Sequence, residues 1–433
     1  MSPADAARTH PGTVRRAVVV GVVLVLLAVV ALGIVVATVW RTDDAGVPGQ
    51  AEAPPSVTRT DTPSPTPSPT PTTPPDATFT IVAAGDVLPH LSVLASARTE
   101  QGYDFGPLLA PLDAWVQAAD LALCHLEVPV VPDGSTPSGY PAFGAPRELT
   151  GDLARHGWDG CSTASNHSLD RGREGLVTTL DALDAAGLGH VGTARTQAEA
   201  QQPQLYRLER AGHTLTVAHV AATYGLNGLP LPPDAPWSVT LLDPQVLVAQ
   251  ATAARQAGAD LVIASVHCCV EYVTAPSGEQ VEVAQALADS GVVDLVLGHH
   301  AHVPQPVVHL EGGPRGEGMW VFHGLGNLLS NQDGECCPPA TSSGLLGWAD
   351  VVTSADGPAR ITGVGWTGVT VDRGTDHHVH ALPDVPDGTG TLDAAEIAAR
   401  AQRVAEAAGP QAPQRTRPPV PTGPPPEVVA RVG

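Results

Sequence analysis

The 433-residue sequence contains no lysine. A P-loop ATPase needs a lysine beside its phosphates and a pyridoxal-phosphate enzyme needs one for its Schiff base, so this polypeptide belongs to neither class, although a separate partner could supply an ATPase. Positive charge is also scarce, since 22 basic residues stand against 44 acidic ones and the formal net charge is -22. Nucleic acids and anionic lipids bind basic surfaces, so neither is expected as a partner. Divalent cations suit this charge better.

One long apolar run, from Ala17 to Val39, lies near the N-terminus. Its length is that needed to cross a bilayer once, and it exceeds the apolar region of a cleaved signal peptide. Arginines precede the run and aspartates follow it, so the positive-inside rule places residues 1–16 in the cytoplasm. No cysteine follows the run to accept a lipid. We therefore predict a single-pass membrane protein with a transmembrane helix at 17–39 and an extracellular main domain.

Composition divides the rest of the chain into three parts. Residues 40–76 are rich in proline and threonine, which predicts an extended stalk. Residues 77–376 show mixed strand and helix patterns and are long enough for one sizeable core. Residues 377–433 carry one amphipathic helix, predicted from Leu392 to Ala408, and then a proline-rich end that is not expected to pack.

The segment from Val292 to His302 is an apolar strand that ends in three histidines. Alternate side chains of an extended backbone point the same way, so His300 and His302 can direct two imidazoles at one metal ion while Gly298 lets the chain turn. A polar loop that happens to be rich in histidine is the alternative. A second cluster, Asp376 to His380, lies near the end of the domain without matching carboxylates, and we interpret it as a surface loop.

Four other apolar runs also end in polar residues, and ligands of open α/β sheets gather at that edge. Taken singly, each polar residue has an ordinary structural explanation as a cap, a bend or a hydrogen-bonded core group. Taken together, they are the oxygen and nitrogen ligands of a dinuclear centre for divalent ions such as Mn, Fe, Zn or Mg. The predicted metal ligands are Asp86, Glu127, Asn166, His267, His300 and His302.

A metal pair can serve phosphoester hydrolysis when a nearby histidine that is not a ligand protonates the leaving group. His167 follows Asn166 directly and is predicted to be this general acid. Further candidates for the site are His90, His125, His299, Asp170, Glu271 and Asn327.

The six cysteines are Cys124, Cys161 and the adjacent pairs Cys268-Cys269 and Cys336-Cys337. In a domain predicted to face an oxidising exterior, disulfides are the default expectation. Adjacent cysteines seldom pair with each other, so we predict a cross-link between the 268/269 loop and the 336/337 loop. Metal ligation by thiolates is the alternative.

Between residues 79 and 345, several short motifs occur in a fixed order. They are Gly85-Asp86, Tyr103-Asp104-Phe105, Ala119-Asp120-Leu121, Leu126-Glu127, Ala164 to Gly172, His267 with Glu271-Tyr272, Gly298 to Val303, and Leu325-Gly326-Asn327. This ordered set resembles the CapA-type poly-γ-glutamate capsule synthesis family, a branch of the calcineurin-like metallophosphoesterase superfamily. The resemblance implies an α/β protein, a four-layer α/β/β/α metallophosphoesterase-like sandwich behind the one N-terminal transmembrane helix, with its site on the strand-end loops.

The resemblance also implies a role in making, exporting or anchoring anionic poly-γ-glutamate or a related surface polymer, with that polymer and membrane-bound polymer synthase subunits as partners. The sequence departs from the pattern at three places. The histidine of the usual Asp-x-His is absent after Asp86 unless His90 supplies it, and His125 stands where the family has asparagine. Cys268-Cys269-Val270 replaces the usual Trp-Gly, which suggests a disulfide across the rim of the cleft.

Two alternatives to this role follow from the same residues. One is a metal-dependent hydrolase that cleaves a phosphoester or an amide. The other is a non-catalytic scaffold that binds the polymer or its export partners, and the missing Asp-x-His histidine favours it. Whether the protein is an enzyme is left open by the sequence.

Overall fold

The computed structural model describes residues 75–354 and 357–432. The predicted cytoplasmic segment 1–16, the transmembrane helix 17–39 and all but the last residues of the stalk 40–76 lie outside this part of the chain. Among the residues that are described, no helix combines the length and the apolar character needed to cross a bilayer.

Strands and helices alternate along most of the described chain. The strands are β1 Ala77–Val87, β2 Leu121–Leu126, β3 Gly160–Ser162, β4 Gly189–Val191, β5 Gln204–Arg210, β6 His213–Thr223, β7 Leu261–His267, β8 Leu295–His299, β9 Val307–Leu310, β10 Met319–Phe322, β11 Asn327–Leu329, β12 Ser343–Ser354, β13 Gly357–Asp372, β14 His378–Ala381, β15 Gly388–Thr389, β16 Leu392–Asp393 and β17 Glu427–Val429. The helices are α1 Leu91–Ser96, α2 Gly106–Leu109, α3 Asp113–Val116, α4 Glu148–Arg155, α5 Gly172–Ala185, α6 Gln197–Ala200, α7 Pro244–Gln256, α8 Gly278–Ser290 and α9 Ala394–Ala408.

Most of these strands form two mixed sheets. The first has the order β14-β13-β12-β1-β2-β3-β4, with β11 also paired to β1, and the second has the order β17-β5-β6-β7-β8-β10-β9. Strands β1 to β4 run parallel, as do β6, β7, β8 and β10. Parallel neighbours end at the same edge, so the residues after these strands are brought together.

The core follows the two-residue period of the strands. Ile81 of β1 and Ile263 of β7 belong to one buried cluster that lies between the two sheets. Their neighbours point the other way, Val82 towards the helices on the outer face of the first sheet and Val262 towards those on the outer face of the second. Each sheet therefore has its partner sheet on one face and helices on the other. The predicted α/β class is confirmed.

The proline-rich end does pack, contrary to the prediction. Strand β17 adds an antiparallel edge to β5, where missing N–H groups matter least. The buried guanidinium of Arg431 donates hydrogen bonds to the carbonyl oxygens of His190, Thr193 and Glu199. Strand β14 pairs with β13 across the predicted boundary at residue 376. The predicted separation of residues 377–432 from the domain is therefore wrong, although helix α9 matches the predicted helix closely.

The cluster from Asp376 to His380 is not a surface loop either. It enters strand β14, and His377 is buried. The Nδ1 atom of His377 lies 2.8 Å from Ser96 Oγ and its Nε2 atom lies 2.8 Å from Asn331 Oδ1. The first sheet gains an edge strand here because alternate residues of the segment, Val379 and Ala381, enter its core.

The cysteines pair differently from the prediction. Cys124 and Cys161 lie opposite each other on β2 and β3 and are joined, with Cα atoms 4.4 Å apart. Cys268 is joined to Cys269, and the exposed Cys336 to Cys337. The predicted cross-link between the two loops is therefore absent from the structure. Cys268 instead packs into the core between the second sheet and its helices.

Candidate metal centre

The polar residues predicted at strand ends meet at one edge of the space between the sheets. Asp86 lies in β1, Glu127 directly follows β2, and His267 ends β7. After β8 the backbone takes left-handed conformations at His300 and His302, with φ of 82° and 56°. Such conformations cost free energy for residues with a Cβ atom and cluster at functional sites.

Gly298 has another role than the predicted turn. It lies inside β8, and a Cβ atom there would come within 1.9 Å of the carbonyl oxygen of His323. Glycine is therefore required for the close approach of two backbones beside the histidine segment.

Two buried carboxylates lie at the centre of the site and share the imidazole of His302. Asp86 and Glu127 are fully buried, and within the described residues none of their four oxygens accepts a hydrogen bond. His302 lies between them, with Nδ1 3.0 Å from Asp86 Oδ2 and Nε2 3.6 Å from Glu127 Oε1. Two buried carboxylates that share one imidazole and accept no hydrogen bond are strongly unfavourable, so this arrangement fits bound cations.

The ligand atoms form overlapping sets, in each of which they lie within 4.8 Å of one another. One set is Asp86, Glu127 and His302, and a second is Glu127, His267 and His300. Glu127 belongs to both sets, so its carboxylate would be shared if each set held an ion. Carboxylate oxygens and imidazole nitrogens are ligands for the divalent ions that the sequence predicts.

Burial and mutual contacts shift the pKa values of Asp86, Glu127 and His302. Burial favours the neutral acid of Asp86, but contacts with His299 and His302 outweigh it and hold the pKa of Asp86 below its usual range. Burial raises the pKa of Glu127 well above its usual range. Burial would also lower the pKa of His302, but Glu127 and Asp86 raise it to about 10. In the metal-free protein the imidazolium of His302 therefore offsets the carboxylate of Asp86, while burial favours the neutral acid of Glu127.

The imidazoles of the second set are different. Burial lowers the pKa of His267 well below its usual range and the pKa of His300 to about 3. Both rings are therefore neutral at pH 7. A neutral imidazole keeps a lone pair for a metal ion.

His167, the predicted general acid, lies beside this set. Its Nδ1 atom is 2.7 Å from Asp170 Oδ2, and the ring of Phe143 packs edge-on against it at 4.8 Å. Asp170 thus orients His167, and among the described residues it joins none of the ligand sets. Asn166 directs Oδ1 at His267 Nε2, 2.9 Å away, because its amide nitrogen donates to Asn227 Oδ1.

Asn227 was missed by the sequence reasoning. It lies 3.3 Å from His167 Nδ1 as well as bonding to Asn166, so it links the two predicted residues. It comes shortly after the end of β6, and the strand-end rule applied to that strand would have found it.

The remaining candidates occupy distinct places. His90 directs Nδ1 at the carbonyl oxygen of Leu88, 2.9 Å away, and among the described residues it joins none of the ligand sets. His299 Nδ1 lies 3.5 Å from Asp86 Oδ1. Asn327 supports His302, with Oδ1 3.0 Å from its Nδ1. Glu271 is partly exposed and lies 3.9 Å from His302 Nε2. His90 is therefore not placed to replace the missing Asp-x-His histidine.

The chain is also similar in sequence to known proteins. The chain is similar to the PGA biosynthesis protein CapA of Bacillus subtilis (strain 168), with 28% identity over 171 residues, which are 40% of this chain and 42% of that protein. It is also similar to a protein of Mycobacterium tuberculosis named "probable polyglutamine synthesis accessory protein", with 28% identity over 255 residues, 54% of this chain and 60% of that protein. The chain thus spans about half the length of these relatives.

Among solved structures, an NAD nucleotidase of Haemophilus influenzae superimposes with a TM-score of 0.42 and 13% identity, covering 79% of this chain and 65% of that one. The family model described as bacterial capsule synthesis protein PGA_cap matches residues 80–332. This match covers more than half of the sequence and includes every predicted metal ligand. The chain therefore belongs to the bacterial capsule synthesis protein family PGA_cap, and the resemblance seen in its motifs is confirmed.

Proposed function

We propose that this chain is a metal-dependent, membrane-anchored protein of poly-γ-glutamate or related capsule polymer biosynthesis. The names of its relatives concern PGA biosynthesis and polyglutamine synthesis, which supports the polymer as the substance it acts with. The apolar run 17–39 supports a single membrane anchor, with residues 1–16 cytoplasmic and the domain outside the cell. Membrane-bound polymer synthase subunits are the proposed protein partners.

The observation that carries the metal dependence is the pair of buried carboxylates, Asp86 and Glu127, which share the imidazole of His302 and accept no hydrogen bond within the described residues. Asp86, Glu127 and His302 would hold one ion, and Glu127, Asn166, His267 and His300 the other. Bound divalent ions polarise phosphoryl or carbonyl oxygens. Two sheets with helices on their outer faces, and the site at the strand ends, are consistent with the metallophosphoesterase-like sandwich that the family resemblance implies.

The experiment that tests the role measures γ-linked polyglutamate on cells that make the polymer with this chain. Replacing Glu127 by Gln removes one negative charge and retains the shape of the side chain. Surface polymer should fall although the protein is present in normal amounts. Unchanged surface polymer would contradict a metal-dependent role.

Hydrolysis of a phosphoester or an amide is the second candidate function, favoured by the His167–Asp170 pair. Because Asp170 occupies Nδ1, Nε2 is the atom of His167 that can give a proton to a leaving group. An aryl phosphate tests this candidate. Its turnover should be lost in the His167→Ala variant while the metal content stays unchanged. An equal turnover in both proteins would contradict the role of His167, and no turnover in the unsubstituted protein would leave the non-catalytic scaffold as the better account.

A further inference from the structure

His125 is a buried histidine beside the candidate metal centre. It lies on β2 in the same alternation as Leu121 and Leu123, whose side chains enter the core between the sheets. Strand β7 lies opposite in the second sheet. Leu261 and Ile263 point into the same core, and His267 follows in the same alternation. The apolar contact between the sheets is thus replaced at its last layer by a contact between two imidazoles.

Both ring nitrogens of His125 have close partners. Nε2 lies 2.9 Å from His267 Nδ1, and Nδ1 lies 2.8 Å from Oγ of Ser162, the residue opposite it on β3. All three side chains are buried. Although Asp86, His125 and His267 lie close enough to share an ion, His125 has no lone pair free for one while these contacts persist.

The other nitrogen of His267 faces the centre. Its Nε2 atom lies 2.9 Å from Asn166 Oδ1 and 3.9 Å from Glu127 Oε1. To bind a metal ion there, Nε2 must carry a lone pair, so the single proton of the neutral ring must be on Nδ1. That proton needs an acceptor, and the nearest one is His125 Nε2.

We propose that His125 is a positioning residue that stabilises the metal-binding tautomer of His267 through a hydrogen-bonded chain to Ser162. In this chain His267 Nδ1–H donates to His125 Nε2, and His125 Nδ1–H donates to Ser162 Oγ. Ligating histidines commonly donate their second N–H to a fixed partner, and losing that partner typically costs about 10–100-fold in metal affinity. The inference rests on the proposed metal centre and deepens it.

Without a metal ion the same atoms satisfy the reverse chain. Ser162 Oγ–H can donate to His125 Nδ1, His125 Nε2–H to His267 Nδ1, and His267 Nε2–H to Asn166 Oδ1. The number of protons is the same in both directions, because each imidazole keeps one and the hydroxyl keeps its own. A serine suits the end of the chain because its hydroxyl both donates and accepts. In the metal-bound protein the chain would therefore run in the opposite direction.

Zinc titration of the full-length protein tests the inference through affinity. The His125→Phe variant keeps a flat ring but removes the acceptor, and its zinc Kd should rise about 10–100-fold with the number of bound ions unchanged. His125→Gln restores an acceptor oxygen and should recover most of this loss. His219→Phe is the matched control, because His219 is also buried between the sheets but bonds to Ser265 instead. Its zinc Kd should stay unchanged.

The outcomes distinguish failure of the metal centre from failure of the positioning role of His125. If the unsubstituted protein binds no zinc, the metal centre is wrong and the inference fails with it. If it binds zinc and His125→Phe binds equally well, the inference alone fails. A loss of one bound ion that Gln does not repair would make His125 a ligand and also overturn the positioning role.

Nitrogen-15 shifts of the histidine rings give an independent reading. In the zinc-loaded protein, the proton of His267 and that of His125 should both be on Nδ1. A proton on His125 Nε2 in that state would contradict the chain, because Nε2 would then be unable to accept from His267.

Discussion

Two segments of this chain are rich in histidine, residues 298–302 and residues 376–380, and their surroundings differ. Side chains of the first lie against the buried carboxylates Asp86 and Glu127, whose oxygens accept no hydrogen bond within the described residues. In the second, His377 has hydrogen-bond partners for both nitrogens and the chain continues as a strand. Buried carboxylates that accept no hydrogen bond, rather than the number of histidines, therefore distinguish the candidate metal centre.

The largest difference between the two segments should appear in metal affinity. His300→Ala removes a ligand from the second set, and its zinc Kd should rise by at least the roughly 10–100-fold that loss of a ligand's partner costs. His378→Ala removes an imidazole from the other segment and should leave the zinc Kd unchanged. Titration of both full-length variants checks this, and similar losses in the two would remove the distinction.

We expect Glu127 to lower the free energy of unfolding of the metal-free protein. Replacing it by Gln removes a buried carboxylate without partners, and the metal-free free energy of unfolding should rise by about 1–3 kcal/mol. Denaturant unfolding in the presence of a chelator measures the change. The gain should disappear when zinc is added, because zinc stabilises the unsubstituted protein more strongly.

The same variant tests the pH dependence. Burial raises the pKa of Glu127 in the folded state above the ordinary value of 4.5, so the folded protein holds a proton that the unfolded chain releases. The contribution of Glu127 to stability is therefore present below pH 4.5 and is lost as the pH rises towards the folded pKa. The advantage of Glu127→Gln should grow over this window. An advantage that shrinks with rising pH would contradict the shift.

Replacing His377 should lower the free energy of unfolding, which is the opposite of the effect expected for Glu127→Gln. His377→Ala removes the hydrogen bonds of this imidazole to Ser96 and Asn331 and should lower the free energy of unfolding by about 1–2 kcal/mol. Its zinc Kd should not change. Unfolding and titration of one preparation measure both quantities, and a weaker zinc affinity would show that the second segment contributes to the centre.

The smallest effect is expected at His378. This residue is partly exposed on the edge strand β14, and threonine is well suited to strands. His378→Thr should therefore change the free energy of unfolding by no more than about 0.5 kcal/mol. A larger loss would assign this imidazole a structural role that its contacts do not show.

The sequence was sufficient to place the site at the ends of strands, because an apolar run followed by polar residues is a local pattern and parallel strands share an edge. It was not sufficient for His125, because its partners lie on other strands. Ser162 contacts it from the neighbouring strand of the same sheet, and His267 contacts it from the second sheet. Packing of the proline-rich end also left no periodic signal, since Arg431 bonds to backbone carbonyl groups of residues far away in sequence.

Elemental analysis of the purified full-length protein determines whether the chain holds the proposed metal centre. The unsubstituted protein should retain divalent metal at neutral pH, and a variant carrying both Asp86→Asn and Glu127→Gln should retain little or none while remaining folded. Two results would contradict the proposed metal centre. One is absence of metal from the unsubstituted protein after incubation with Mn, Fe, Zn and Mg ions, and the other is equal metal content in the double variant.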